Sequence, residues 1–182
     1  MQKANCDLSQ FVIVDMQTKL APAMPAEALK ITVKNCANLA QTAVLLNIPS
    51  VLTEQYPQGL GETLPEIKQH LPNLKPIVKT AFSACGEPKF NQQLQRENPH
   101  IILVGMEAHI CLLQTALDLL QAGKTVFVVE DAVLSRAPAN KANAIERMRA
   151  AGCVITNTES VLFEWLGNAN HSAFKTLSKL IR

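Results

Sequence analysis

Residues 101–123, Ile101 to Gly123, read IILVGMEAHICLLQTALDLLQAG, and this stretch decides the fold. Ile101–Val104 is an unbroken apolar run, the pattern of a strand buried on both faces of a parallel sheet. Gly105 ends the run. Cys111 then opens a segment with helical spacing, in which Leu112, Leu113, Ala116, Leu119 and Leu120 share one stripe. Gly123 stands where a helix C-terminal glycine belongs. The unit reads strand, tight turn, helix, with a cysteine in the helix's first turn. Unpaired N–H groups and the helix dipole there bias a thiol toward thiolate, so a nucleophile is expected at Cys111. Against this stands the plainer reading, a small hydrophobe buried among leucines.

Working outward, the same alternation recurs on both sides. Toward the N-terminus, Phe11–Val14 is a short apolar run ending in Asp15, and Pro25 precedes a helical pattern from Ala26 to about Leu46. Ser50–Thr53 reads as a second strand, emptying into the proline- and glycine-rich loop EQYPQGLGETLPEI. Pro76–Val78 is a third, ending at Lys79, and Glu87–Arg96 is a short helix. Beyond Gly123, Thr125–Val129 is a strand ending in Glu130-Asp131, with Asp131 read as a helix-approach or turn residue. A helix over Ala139–Ala151, a strand Cys153–Thr156, and helices Ser160–Leu166 and Ser172–Ile181 follow. Strands alternating with helices predict an α/β fold: three layers, α/β/α, around a six-stranded, mainly parallel, Rossmann-like sheet. No repeat or linker divides the chain, so residues 1–182 are expected to form one domain.

Ligands of such sheets bind outside the carboxyl ends of the strands. Asp15, Lys79 and the Gly105–Cys111 turn all fall there, so three separate stretches bring a carboxylate, an ammonium and a thiol to one edge. A cysteine nucleophile needs a base, a cation to hold its thiolate and donors for an oxyanion. Asp15 suits the base, and later the acid that protonates a leaving amine. Lys79 suits the cation, and backbone N–H groups of the turn suit the oxyanion hole. None of His70, His100, His109 and His171 is an obvious partner for the thiol.

Composition narrows the classes. The chain of 182 residues is 48% hydrophobic and 18% charged, with net charge +2 and no basic run, which points away from nucleic acid and anionic membranes. The polar start MQKANCDLSQ lacks a signal-peptide core, and no apolar run is long enough to span a bilayer. The locally basic KTLSKLIR reads as a solvated helix face. Five cysteines, an odd number without paired spacing, suit reduced thiols and a cytoplasmic setting. Met16, Met106 and Met148 read as core fillers.

The motifs FVIVDMQ, TEQYPQGLG, VKTAFSA and GMEAHICLLQTALDLLQAG, in this order and spacing, resemble those of the isochorismatase-like cysteine hydrolases. The likeness runs from about residue 10 to residue 167. It implies a catalytic triad of Asp15, Lys79 and Cys111, a non-proline cis peptide at Met106–Glu107, and an oxyanion hole from the N–H groups of Glu107 and Cys111. It also implies a homo-oligomer and a small-molecule substrate. Departures from the family pattern carry information too. Metal-binding nicotinamidases of the family have an Asp-x-His pair near the second strand, where this chain has Thr53, Glu54, Gln55 and Tyr56, so no metal and no cofactor are expected. True isochorismatases lack the cysteine, so Cys111 favours acyl transfer. A threonine is common where Ala108 stands.

Tyr56 and Phe82 are candidates to line a substrate pocket, and Glu54 and Gln55 to orient a substrate amide. The expected reaction is hydrolysis of a small amide or related acyl compound through a thioester. The competing classes are a non-enzymatic interaction protein with a vestigial site and a thiol redox sensor.

Overall fold

β-Branched and large apolar residues at successive positions fill both faces of a sheet, and these runs become its strands. In a computed structural model that describes residues 3–181, β1 (Ser9–Val14) is buried along its whole length. After it come α1 (Ala26–Leu45), β2 (Ser50–Gln55), α2 (Pro57–Leu60), α3 (Pro65–Lys68) and β3 (Ile77–Lys79). The second half contributes α4 (Pro88–Gln93), β4 (His100–Met106), α5 (Leu113–Gln121), β5 (Thr125–Leu134), α6 (Pro138–Ala151), β6 (Val154–Thr156), α7 (Thr158–Leu166) and α8 (Phe174–Leu177). The strands form one sheet in the order β3-β2-β1-β4-β5-β6. Every pairing in it is parallel. The chain steps outward from β1 to β3, returns to place β4 beside β1, and steps outward again to β6. Strand order therefore reverses between β1 and β4, the place where such sheets open a crevice.

Side chains alternate along each strand and build two cores. Phe11, Ile13, Leu52, Ile102, Val104 and Phe127 meet Cys36, Leu39 and Ala43 of α1 and Val161, Leu162 and Trp165 of α7. On the other face Val12, Val14, Ile101, Leu103 and Val128 meet Leu113, Ala116 and Leu119 of α5 and Ala144, Ile145 and Met148 of α6. The three layers expected from the sequence are these.

Several boundaries differ from the sequence expectations. β4 continues through Gly105 (φ +129°), where an added Cβ would stand 2.0 Å from the Val14 carbonyl oxygen. Glycine here lets β4 lie against β1 without interruption. β5 does not end at Glu130-Asp131 but runs to Leu134, with a register shift opposite Leu103–Gly105 that absorbs the charged pair. Asp131 proves to cap a helix: its Oδ1 accepts from the Thr158 N–H and hydroxyl, each at 2.8 Å, at the start of α7. The loop after β2 holds the one-turn helices α2 and α3, each beginning at a proline and too short for periodicity to reveal. The helices expected over Glu87–Arg96 and Ser172–Ile181 shorten to α4 and α8. Residues 1–2 of the polar start and 182 of the basic tail lie outside the described residues. Among the described residues, no helix is long and apolar enough to cross a membrane.

Candidate active site

The tip of β1 delivers Asp15, which is fully buried and takes a left-handed backbone (φ +52°) that aspartate tolerates better than most residues. Its Oδ1 accepts the Thr53 hydroxyl at 2.7 Å, and its Oδ2 lies 2.7 Å from Lys79 Nζ. Lys79 is the last residue of β3 and stands in register with Gln55 at the end of β2. Its ammonium also reaches Gln55 Oε1 at 2.6 Å and the carbonyls of Phe82 and Ala81 at 3.0 and 3.2 Å. Three N–H donors thus face four acceptors. A buried cation is tolerated when paired and hydrogen-bonded in this way. The Lys79 head is fixed.

Gln55 is itself held by Gln17, a fully buried residue that the sequence reading passed over. Gln17 Oε1 accepts the Gln55 N–H at 2.8 Å, while Gln17 Nε2 donates to the carbonyls of Gln55 at 3.0 Å and Gly61 at 2.6 Å. A glutamine two residues past a strand-end aspartate was visible in the sequence, but nothing there indicated its partners.

The third component comes from the β4–α5 junction. The Met106–Glu107 peptide is cis. Residues Ala108–Leu112 make a wide π-type turn, in which the Glu107 carbonyl accepts from Ile110 and Leu112 but passes over Cys111. Such turns recur at functional positions. Cys111 is 8% exposed, and its thiol lies within the electrostatic reach of Asp15 and Lys79. Burial pushes its pKa up to about 12, helped by the negative charge of Asp15 and opposed by Lys79. Desolvation of the anion and the charge of Asp15 thus oppose the thiolate bias expected from the helix start.

The other sequence candidates scatter. Gln55 and the Phe82 carbonyl join the cluster through Lys79, whereas the Phe82 ring is 55% exposed. Tyr56 is exposed with its ring over Gly59, and its N–H donates to the Lys79 carbonyl at 3.0 Å. Glu54 is not brought to the cluster: its Oε1 accepts from the Thr63 N–H and hydroxyl at 2.7 and 2.6 Å, pinning the loop after β2. The Glu107 carboxylate accepts from the Arg136 N–H at 3.0 Å, which anchors the turn to the end of β5. His109 Nδ1 lies 3.0 Å from Ser135 Oγ, outside the cluster. Among the described residues, no group of three or more His, Cys, Asp or Glu side chains is placed to hold a metal ion.

Residues 9–160 match the family model described as Isochorismatase domain. A Danio rerio protein named isochorismatase domain-containing protein 2 is 40% identical over 174 residues, covering 95% of this chain and 86% of its own length. A Phytophthora sojae protein named secreted isochorismatase effector Isc1 is 41% identical over 150 residues, covering 79% and 71%. The solved structure of a Caenorhabditis elegans protein, described as MAR1 ribonuclease, superposes with a TM-score of 0.93 at 37% identity, covering 99% of this chain and 92% of its own.

Proposed function

The chain belongs to the isochorismatase family, and from that premise we propose that it is a cysteine hydrolase of a small amide or related acyl compound. Asp15, Lys79 and Cys111 form the catalytic triad. Asp15 takes the Cys111 proton as the sulfur attacks the substrate carbonyl, and the N–H groups of Glu107 and Cys111 receive the oxyanion. Asp15 then passes that proton to the departing amine, leaving a thioester. Asp15 next draws a proton from water, the hydroxide displaces sulfur, and the proton returns to Cys111. Amide and water become acid and amine, and the protein is restored.

The observation that carries this reading is the convergence of the three side chains, from three strand ends, around one buried ion pair. Moving the proton from Cys111 to Asp15 conserves net charge: a carboxylate, ammonium and neutral thiol become a neutral acid, ammonium and thiolate. The ammonium, fixed by its four acceptors, faces an anion before and after the transfer. A thiol whose free pKa is high is thus activated inside the cluster without exporting charge to solvent. This chemistry needs neither metal nor cofactor.

Gln55 positions Lys79, and Tyr56 and Phe82 line the approach to the site. The whole of 1–182 acts as one domain and assembles as a homo-oligomer, for which exposed Ile31, Val44 and Leu45 supply apolar surface. Five free thiols suit a reducing, cytoplasmic setting, although the Phytophthora relative is named as secreted.

The test is a panel of small amides, esters and short RNAs incubated with wild type and Cys111→Ala, with mass detection of a trapped acyl group. Amide turnover with acylated Cys111, absent in Cys111→Ala, supports the proposal. RNA cleavage that survives Cys111→Ala rejects it in favour of the activity named for the nematode relative. Sulfenic acid at Cys111 without turnover of any substrate rejects it in favour of a thiol sensor.

A further inference from the structure

We infer that Thr115 is the positioning residue that sets the nucleophile against the Lys79 ammonium; the inference rests on the catalytic reading of Cys111 and Lys79. Thr115 lies on α5, one turn beyond Cys111, and is fully buried. Its hydroxyl donates to the Cys111 carbonyl at 2.7 Å and accepts the N–H of Ala84 at 2.9 Å. Ala84 follows closely on Ala81 and Phe82, whose carbonyls hold Lys79 Nζ. One oxygen therefore joins the backbone of the nucleophile to the loop that fixes the cation.

A helical threonine commonly bonds back to the carbonyl one turn earlier, and that half alone would be local packing. The second half makes the difference, because Ala84 opens a tight turn (Ala84–Gly86) whose first N–H groups have no partner within the turn. The next N–H, that of Cys85, is taken by Ser83 Oγ at 3.2 Å, and the Ser83 hydroxyl donates to Asp118 Oδ2 at 2.6 Å. The loop after Lys79 is thus tied to α5 at two levels, and the level facing the nucleophile is Thr115. Losing the hydroxyl removes the tie nearer the nucleophile and leaves the loop held at the Ser83–Asp118 level, so the cation and the sulfur can drift relative to each other.

Thr115→Val keeps the shape and removes the hydroxyl, whereas Thr115→Ser keeps the hydroxyl. If Thr115→Val does not fold, Thr115→Ala replaces it. The readouts on the full chain are Tm, the rate of Cys111 alkylation by iodoacetamide at pH 8 with peptide mapping, and kcat and KM on any amide the wild type turns over. A displacement of about 1 Å in a catalytic group costs on the order of 100-fold, so kcat of Thr115→Val should fall to that extent with KM little changed. Its Cys111 alkylation should slow, and Thr115→Ser should restore both. A folded Thr115→Val with wild-type kcat and alkylation overturns the inference while leaving the triad standing. Faster alkylation overturns it too, because the hydroxyl would then be closing a gate. Slower alkylation in a protein that turns over no amide keeps Thr115 as the positioning residue and removes the hydrolase reading.

Discussion

Lys79→Met removes the ammonium and keeps the length and apolar stem of the side chain. Four acceptors then lose their partner: Asp15 Oδ2, Gln55 Oε1 and the carbonyls of Ala81 and Phe82. Asp15 becomes a fully buried carboxylate whose remaining hydrogen bond is from the Thr53 hydroxyl. Removing one partner of a buried pair costs about 3–5 kcal/mol, because the other charge is left uncompensated. In a chain of this length each kcal/mol moves Tm by about 2–4 °C, so Tm should fall by roughly 6–20 °C. Asp15→Asn removes the stranded charge. The double variant should therefore be at least about 1 kcal/mol more stable than the sum of the single changes. Urea unfolding can be followed through Trp165, the one tryptophan, whose indole N–H donates to Ser9 Oγ at 2.9 Å. Ser9 starts β1 and Asp15 follows its end, so the probe reports from the opposite edge of the sheet. A loss below about 1 kcal/mol in Lys79→Met, or strict additivity in the double variant, would refute a coupled buried pair.

Three further outcomes follow from other positions. Burial raises the Cys85 and Cys153 pKa values to about 11 and that of Cys111 to about 12, from an ordinary 9.0, so the folded state keeps protons that the unfolded chain releases. The contribution of these thiols to stability is then level below pH 9 and declines between pH 9 and about 12; a urea midpoint that stays level across that window contradicts it. Gly105→Ala places a Cβ 2.0 Å from the Val14 carbonyl oxygen on a backbone of φ +129°, and should cost more than about 4 kcal/mol or abolish soluble expression; a Tm within a few degrees of wild type would disprove the close approach of β1 and β4. Asp131→Ala leaves the Thr158 N–H and hydroxyl at the start of α7 without their acceptor, while Asn157 still caps Ser160, and should cost about 1 kcal/mol with little effect at the candidate active site, measured by urea unfolding and, where there is turnover, by kcat.

The sheet was legible because its strands are apolar on both faces and punctuated by glycine, proline or charge at each end. Asp15, Lys79 and Cys111 were legible because each sits one step past such a run or turn. What escaped was the scaffolding between remote segments. Gln17 holding Gln55, and Thr115 holding Ala84, are hydrogen bonds across 38 and 31 positions, and no local pattern encodes them. Glu54 looked equivalent to Gln55, yet adjacent residues of a strand face opposite ways, and only Gln55 meets Lys79. The opposing pull of burial on the Cys111 thiol was not legible, because a helix start is visible in sequence, whereas the degree of burial depends on the folded surroundings.

Strand order has a consequence for how the chain is made. β1 is paired on one edge by β2 and on the other by β4, whose His100 stands opposite Ser9. During synthesis from the N-terminus, the residues between these partners must all be added before that second edge can close. At about 5–20 residues per second this takes roughly 5–20 s, during which SQFVIV offers a bare row of peptide groups on a largely apolar ribbon. A nascent chain in that interval can pair with its neighbour on the same message, and holding chaperones would find their target there. Asp15 and Lys79 have already been made by then, but the sulfur has not. The proposed chemistry at Cys111 thus cannot begin until the closing strand has arrived, and Gly105, which allows that closure, lies between the strand's core and Cys111.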